Sequence, residues 1–537
     1  MGTRGVWLVA IVLLAAACSG GDDDTSAAAA ATTAPPVATT APSTTVAPAT
    51  IPPATIPPAT TTSPPEPLLV PQIEVTGPEE TVFDWATDRC EDENIPDIAA
   101  RAFRDATGQV QLIIGHYYDY RMVGPTLDQV TSDCSGPVLT SAFDPDPSQF
   151  NDSDWIAAPY TLDGETIYAL VHNEYRGDTH EDARPEQCPS RDRYTCLDTS
   201  IVEFVSTDGG ASYVPIDTPP NHMVATLPYV FNDEGVPSGL RQPSNIIRGP
   251  DGYFYNFSNV SDYPAEAQWV CVMRTDDLGD PGSWRFWNGA DFSGVVVNPY
   301  VGAVGPDADK CAPLALPQLS GSVQEAVVYD EGLGKYVMMG TSAGPGSPDP
   351  QWGVYYSLSD DLIHWTTRRL LIELPSYPSV VNENTDPFYA YVSILDPESD
   401  SMNFETSNGS AYLYMTHFNA GTHSVDRDLV RFPIELKYVE AVAPDWDFGV
   451  DGEPEGWTPV NDLSPLAVAD GNLTTESTGD DPYLVLGQLQ LPSGFDRLRI
   501  RMRVSPGVGQ TGQLFFGTDR NRDHTETASL LFDVSGD

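Results

Sequence analysis

The chain has 537 residues, with 26 Lys and Arg against 77 Asp and Glu and a formal net charge of −51. A field of that sign repels nucleic acid and anionic lipid, which excludes both as direct partners. Hydrophobic residues make up 40%, with ten Trp and 24 Tyr, so large packed cores are available to the roughly two to four domains this length allows.

At the N-terminus, Arg4 precedes an apolar run from Val6 to Ala17. The run is too short for a membrane span and suits a signal h-region. It ends in AAACSGG, and the small residues before Cys18 resemble a bacterial lipobox, with Ala15 where Leu is usual. The resemblance implies a signal peptide over residues 1–18, lipidation of Cys18, and export to the outer face of the bacterial cell membrane. The lipid anchor is then the only membrane contact; an ordinary cleaved secretory signal is the alternative. Residues 19–71 are Ala, Thr, Pro and Ser, with IPPAT twice in succession. Such a segment cannot bury a core and reads as a disordered, polyproline-like tether.

Export decides the reading of the remaining cysteines: Cys90, Cys134, Cys188, Cys196, Cys271 and Cys311. An even set in an oxidising compartment favours disulfides, and no CxxC points to a metal-thiolate or redox site. Local pairing is expected: Cys90–Cys134, Cys188–Cys196 and Cys271–Cys311.

Between about Asp97 and Leu436 a strand–turn–strand phrase recurs five times: IAARAFRDATGQVQLIIGHYY, IAAPYTLDGETIYALVHNEY, QPSNIIRGPDGYFYNFSNV, EAVVYDEGLGKYVMMGTS and YAYVSILDPESDSMNFETSNGSAYLYMTHF. Units of roughly 70 residues without helical periodicity suit four-stranded blades, so residues 72–440 are expected to form a five-bladed β-propeller. Three further phrases, STDGGASY (Ser206–Tyr213), RTDDLGDPGSW (Arg274–Trp284) and SLSDDLIHW (Ser357–Trp365), follow the strand pairs of copies two, three and four. The first resembles the Asp-box of sialidases and related propellers, which is a structural turn between outer strands. The third resembles a phrase of five-bladed glycosidases. Residues 445–537, opening WDFGVDGEPEGW and continuing with LRIRMRV and GQLFFGT, read as a β-sandwich cut short at its end, similar to jelly-roll modules of secreted carbohydrate-active proteins. The fold class is all-β.

In a propeller, starts of first strands and ends of second strands converge on one funnel. The starts offer Asp97, Asp154, Arg241, Glu325 and Asp386, and the ends offer His116, His172 and His417. Three of only eight histidines at equivalent places mark a candidate binding or on-axis metal set. Copies one and two share the phrases HYYDYR and HNEYR, with a carboxylate, a Tyr and an Arg after the His. No nucleophile elbow, HExxH or GxxxxGK[ST] occurs.

Five blades with acids at first-strand starts resemble the five-bladed glycoside hydrolases typified by families 43 and 32. The resemblance implies Asp97 as general base and Glu325 as acid. Arg241 and Gln242 stand where that family has a third carboxylate. Glycoside cleavage needs one protonated and one ionised carboxyl group. Glu174, flanked by His172, Tyr175 and Arg176, rivals Glu325 as the acid. Arg101, Arg121, His172, Asn173, Arg176 and Arg241 are the candidate substrate-binding residues. The resemblance requires no cofactor and allows a structural Ca2+ on the axis. The expected partner is a polysaccharide or oligosaccharide, and the expected state a monomer. Two other readings stand beside this one: a sialidase-like enzyme with Arg101, Arg241 and Arg274 as a triad, and a non-catalytic glycan-binding lipoprotein.

Overall fold

The computed structural model describes residues 6–14, 69–180, 188–191, 195–231, 238–262, 267–302, 310–314, 321–343, 352–366, 368–375, 387–420, 425–440, 446–479, 482–486, 511–518 and 529–533. Cys18, most of the tether and Asp386 lie outside them. One compact unit spans Leu69–Val439, and a second comprises the chain before Leu69 and after Val439.

The larger unit is built of five antiparallel meanders. Blade one runs through Arg101–Arg104, Val110–Ile114, Tyr118–Gly124 and Thr131–Ser132. Blade two has Ser153–Thr161, Ile167–Arg176 and Leu197–Ser206, with Val214–Pro215 and Met223–Ala225 sharing its outer edge. In blade three the inner strand is broken into Ser238–Arg241 and Ile247–Arg248, followed by Phe254–Asp262, Ala267–Thr275 and Arg285–Phe286. Blade four is Gly321–Asp330, Lys335–Ala343, Trp352–Ser359 and Arg369–Glu373. Blade five takes Phe388–Leu395, Ser410–Phe418 and Arg427–Glu440, and its outer edge comes from the other end of the unit, Leu69–Val75 and Glu80–Phe83.

Packing closes these meanders into a ring. Phe103, Ile113 and Ile156 lie in the core between blades one and two; Leu170, Val260 and Met273 between two and three; Phe257, Val327 and Met338 between three and four. Val337, Val392 and Leu413 join four to five, and Leu395, Tyr414 and Leu112 join five to one. Every blade is therefore covered on both faces. That explains why strands such as Val110–Ile114 and Ser153–Thr161 are buried at every position instead of alternating. The unit is a five-bladed β-propeller.

Two polar devices hold the blades at the axis. Arg101, 4% exposed, donates from Nε to Ala157 O (2.9 Å), from Nη1 to Ser393 Oγ (2.6 Å) and from Nη2 to Glu325 O (2.6 Å). One guanidinium on blade one thus joins blades two, four and five. At the other ends of the inner strands, the long turn of blade five reaches all four remaining blades. Met402 O accepts from Arg104 N, Asn403 exchanges two hydrogen bonds with the Thr161 backbone, and Glu405 accepts from Tyr160 OH and Arg248 N. Tyr329 N completes the set by donating to Glu405 O. This accounts for the extra length of the fifth repeat.

The Asp-box phrase is a structural turn. Asp208 accepts from the Ala211 and Ser212 backbone, and Tyr213 is buried beneath. In blade four, Asp361 accepts from Ile363 N and His364 N above buried Trp365. Disulfides join Cys90–Cys134, Cys188–Cys196 and Cys271–Cys311, with Cα separations of 5.2, 5.7 and 5.8 Å.

In the second unit, Trp457–Asn461, Tyr483–Leu486, Thr511–Thr518 and Ser529–Asp533 share one sheet. The apolar stretch Val6–Leu14 lies in it as a strand between Tyr483–Leu486 and Thr511–Thr518. Ala467–Ala469 and Asn472–Thr474 form a separate hairpin.

Replacing Arg101 with Met removes the strap and leaves Glu325 without its cation. The expected loss of propeller stability is on the order of 3 kcal/mol, read from the denaturant midpoint of the full chain. A change below about 1 kcal/mol would show that the strap is dispensable.

Candidate functional site

The first strand of blade one starts beside the end of the second: Asp97 N donates to Gly115 O. This places the Asp97 carboxylate at the funnel. It pairs with Arg427, accepts from Tyr391 OH (3.2 Å) and lies 3.8 Å from His116 Nε2. Arg427 rests over the Phe418 ring. In blade two, Glu174 Oε1 is 3.2 Å from His172 Nε2 and Oε2 is 3.7 Å from Arg176 Nη1. Arg176 also donates to Tyr117 OH (3.2 Å), which joins the two groups. Trp155 is the common wall, with ring centroids 4.9 Å from Tyr117, 5.6 Å from His172 and 6.3 Å from His116.

Burial and neighbouring charge set the protonation of these groups. Burial pushes Glu174 upward, but the His172 hydrogen bond and the charges of Arg176 and Arg241 outweigh it and hold the carboxyl below its ordinary value. Burial pulls His116 down against the pull of Asp97 and Glu93, which favours the neutral ring. Burial raises Tyr391 well above the ordinary phenol, with the Asp97 charge adding to it, so its hydroxyl stays a donor.

Glu325 sits apart from the open funnel. It is 3% exposed, accepts from Val392 N (2.7 Å) and Thr341 Oγ1 (3.2 Å), and burial pushes it up to about 7 against the charge of Arg101. With Ile98, Ala99, Arg101, Gln242, Pro243 and Tyr391 it lines a cavity of about 10 Å³, room for about one water. Two of the lining residues hold left-handed backbone, Gln242 at φ 47° and Tyr391 at φ 64°. Bulges fall in both adjoining inner strands, between Ser322 and Ala326 and between Ala390 and Ser393. Strain over-determined by its surroundings gathers at functional sites. Here the bulge around Tyr391 aims its hydroxyl at Asp97 while the next peptide N–H holds Glu325.

The structure brings together Asp97, His116, His172, Glu174, Arg176 and Arg241 around the funnel, with Glu325 beneath. Other candidates are placed elsewhere. Arg101 does not hold substrate: its three bonds to blades two, four and five make it part of the scaffold. Arg121 is committed to Asp133 (2.9 Å) and Gln111 (3.0 Å) farther out in blade one. Asn173 is 1% exposed and bonds Asp154 Oδ1 at 2.8 Å, behind the strand face that carries Glu174. Asp154 is likewise buried between blades, which pushes it up to about 7.

His417 stacks on Tyr389 at 4.3 Å, whereas His116 and His172 both flank Trp155. Among the described residues no group of three or more His, Cys, Asp and Glu is placed to hold a metal. An axial Ca2+ would need free oxygens, but Asp97 and Glu174 are already paired to Arg427 and Arg176, and Arg101 and Arg241 add positive charge. The donor set does not fit that ion. The proposed sialidase triad is not assembled either, because Arg274 is bound to Asp251 and Tyr255 at the far end of blade three.

Sequence reasoning missed Arg427, Tyr391 and Tyr117. Arg427 and Tyr117 stand at or just before third-strand starts, which reach the same face as second-strand ends. Extending the repeat alignment by one strand would have found both.

No family model matches the chain, and no curated protein matches it. Among solved structures it is similar to an endo-arabinase from Bacteroides thetaiotaomicron at 11% identity, over 64% of this chain and 97% of that one, with a TM-score of 0.34. It is similar to a glycosyl hydrolase from Bacteroides ovatus at 10% identity, over 68% and 93%, with a TM-score of 0.38. An α-L-arabinanase from Cellvibrio cellulosa complexed with arabinohexaose matches at 11%, over 65% and 93%, with a TM-score of 0.33. Likenesses this loose carry no argument about chemistry.

Burial pushes Asp154, Asp198 and Glu325 each up to about 7, from ordinary values of 3.8, 3.8 and 4.5. Between about pH 4 and 7 the folded chain therefore holds protons that the unfolded chain has lost, so stability falls as pH rises through that window. The denaturant midpoint is expected to be higher at pH 5 than at pH 7.5, and Glu325→Gln is expected to narrow the gap. A gap unchanged by that substitution would contradict the assignment.

Proposed function

We propose that the protein is an exported, surface-tethered glycoside hydrolase. The observation that carries this reading is the contrast between two kinds of carboxyl group at one propeller axis. Asp97 and Glu174 are paired with guanidinium groups, and Glu325 is buried so that its carboxyl is pushed up to about 7. Such a split supplies the ionised and protonated partners that glycoside cleavage needs.

In this reading Glu325 gives its proton to the glycosidic oxygen as the C–O bond breaks. Asp97 takes a proton from the water whose oxygen bonds the anomeric carbon. Glu174, held ionised, steadies positive charge developing on the sugar ring. Tyr117 and Tyr391, both only half-buried, offer aromatic faces to the ring, with buried Trp155 packed behind Tyr117. The leader pattern at Cys18, the tether and the three disulfides support export and anchoring to the outer face of the cell membrane.

One observation favours a second reading, a glycan-binding module without catalysis. Glu325 is capped by two hydrogen bonds beside a cavity with room for about one water, so a glycosidic oxygen reaches it only if Tyr391 swings aside.

A screen of the exported chain on furanoside and pyranoside substrates separates the two. The hydrolase reading expects turnover on at least one substrate. Asp97→Asn and Glu325→Gln should each lower kcat about 100-fold or more while leaving the unfolding transition cooperative. Binding without turnover on any substrate would favour the module, and full activity in Asp97→Asn would remove Asp97 from the catalytic pair.

A further inference from the structure

Arg241 is the funnel cation with nothing to hold. It ends the short strand Ser238–Arg241, and the chain turns immediately after it at left-handed Gln242. The turn is pinned, since Gln242 O accepts from Gln324 Nε2 (3.4 Å). Among the described residues Arg241 makes no ion pair within 4 Å and no hydrogen bond, and its Nε is sealed from solvent. The other guanidinium groups there are engaged: Arg427 with Asp97, Arg176 with Glu174 and Asp178, and Arg101 with three blades. Glu174 and Asp198 lie near enough to Arg241 to act on it by charge, but Glu174 already faces His172 and Arg176. Burial pushes Asp198 up to about 7, so it is a poor counter-ion at neutral pH.

Arg241 is half-buried with its Nε sealed, and a guanidinium with an unmet buried donor is costly unless a partner arrives. A sugar hydroxyl would meet a donor and leave the charge. A carboxylate meets both, because its two oxygens match the planar fork of N–H groups. The distribution of basic residues points the same way. The chain has 26 Lys and Arg in all, and four of the arginines, Arg101, Arg176, Arg241 and Arg427, stand at this one axis. The surrounding net charge of −51 does not forbid an anion there, since exposed charges are screened beyond about 8 Å at physiological salt.

We propose that the glycan taken by this site is acidic, and that a sugar carboxylate of the uronate type docks on Arg241. The proposal rests on the glycan-acting reading of the funnel and names its substrate class. Glu174 and Arg176 then border the acidic ring, and Tyr391 separates it from Glu325.

The test is equilibrium binding by calorimetry to the full chain. The probes are trisaccharides of galacturonic, glucuronic and mannuronic acid, each beside its carboxyl-reduced neutral counterpart and a sulfated neutral trisaccharide. At least one uronate is expected to bind tenfold or more tighter than its reduced form. Arg241→Gln should erase that preference by weakening the uronate, leaving the neutral sugar within about twofold; Arg241→Lys should restore only part of it. The proposal is overturned by equal affinity for a uronate and its reduced form, by preference for the sulfate ester, by no binding of any uronate, or by a preference that survives Arg241→Gln. The comparison on the unsubstituted chain needs no variant to fold. Tight uronate binding without cleavage would sink the hydrolase reading and keep the Arg241 assignment. Cleavage of neutral glycans alone would do the reverse.

Discussion

The structure depends on what happens to one buried guanidinium. A propeller leaves a gap where its inner strands meet, and apolar side chains between blades do not reach across it. Arg101 crosses that gap, bonding to Ala157, Glu325 and Ser393 on three other blades while sitting 4% exposed. Burial pulls its own pKa down and the Glu325 carboxyl resists that pull, so strap and candidate acid are a coupled pair. The residue that holds the blades together thus also determines what the deepest carboxyl of the site experiences.

The rest of the site follows from a small number of cations in an acidic protein. Arg176 and Arg427 are each placed against a carboxylate, and Arg101 is spent on two backbone carbonyls and a serine hydroxyl, which leaves Arg241. Where hydrogen bonding and charge outweigh burial, as for Glu174 beside His172 and Arg176, the carboxyl is held below its ordinary value. Where burial dominates, as for Glu325, the carboxyl is pushed up to about 7. Tyr391 stands between the two regimes, with its hydroxyl on Asp97 and the following amide on Glu325. Its left-handed backbone is the local strain by which one residue serves both.

Much of the fold was legible because a repeat of strand pairs has one architectural meaning, and the five apolar cores between blades are the physical form of that repeat. Strand phase also placed Asp97, Glu174, Arg241, His116 and His172 at one end of the ring, where the structure groups them. It failed where phase is broken or where burial decides the role. The bulge between Ala390 and Ser393 turns Tyr391 to an orientation that alternation does not foresee. Arg101 sits at a first-strand start like a ligand-binding residue, yet only the packed structure shows its donors committed to other blades. His417 occupies the same repeat position as His116 and His172, but Tyr389 stacks on it and withdraws it from the set. The contacts of the long blade-five turn with four other blades depend on long-range geometry that no local pattern encodes.

The central claim is that burial at the axis pushes one carboxyl, Glu325, far above the ordinary glutamate range, to about 7. Carbon-13 NMR titration of side-chain-labelled glutamate in the full chain tests it directly. The account predicts a Glu carboxyl resonance titrating near pH 7 that disappears in Glu325→Gln. A spectrum in which the Glu325 resonance titrates with the ordinary glutamates would contradict the account.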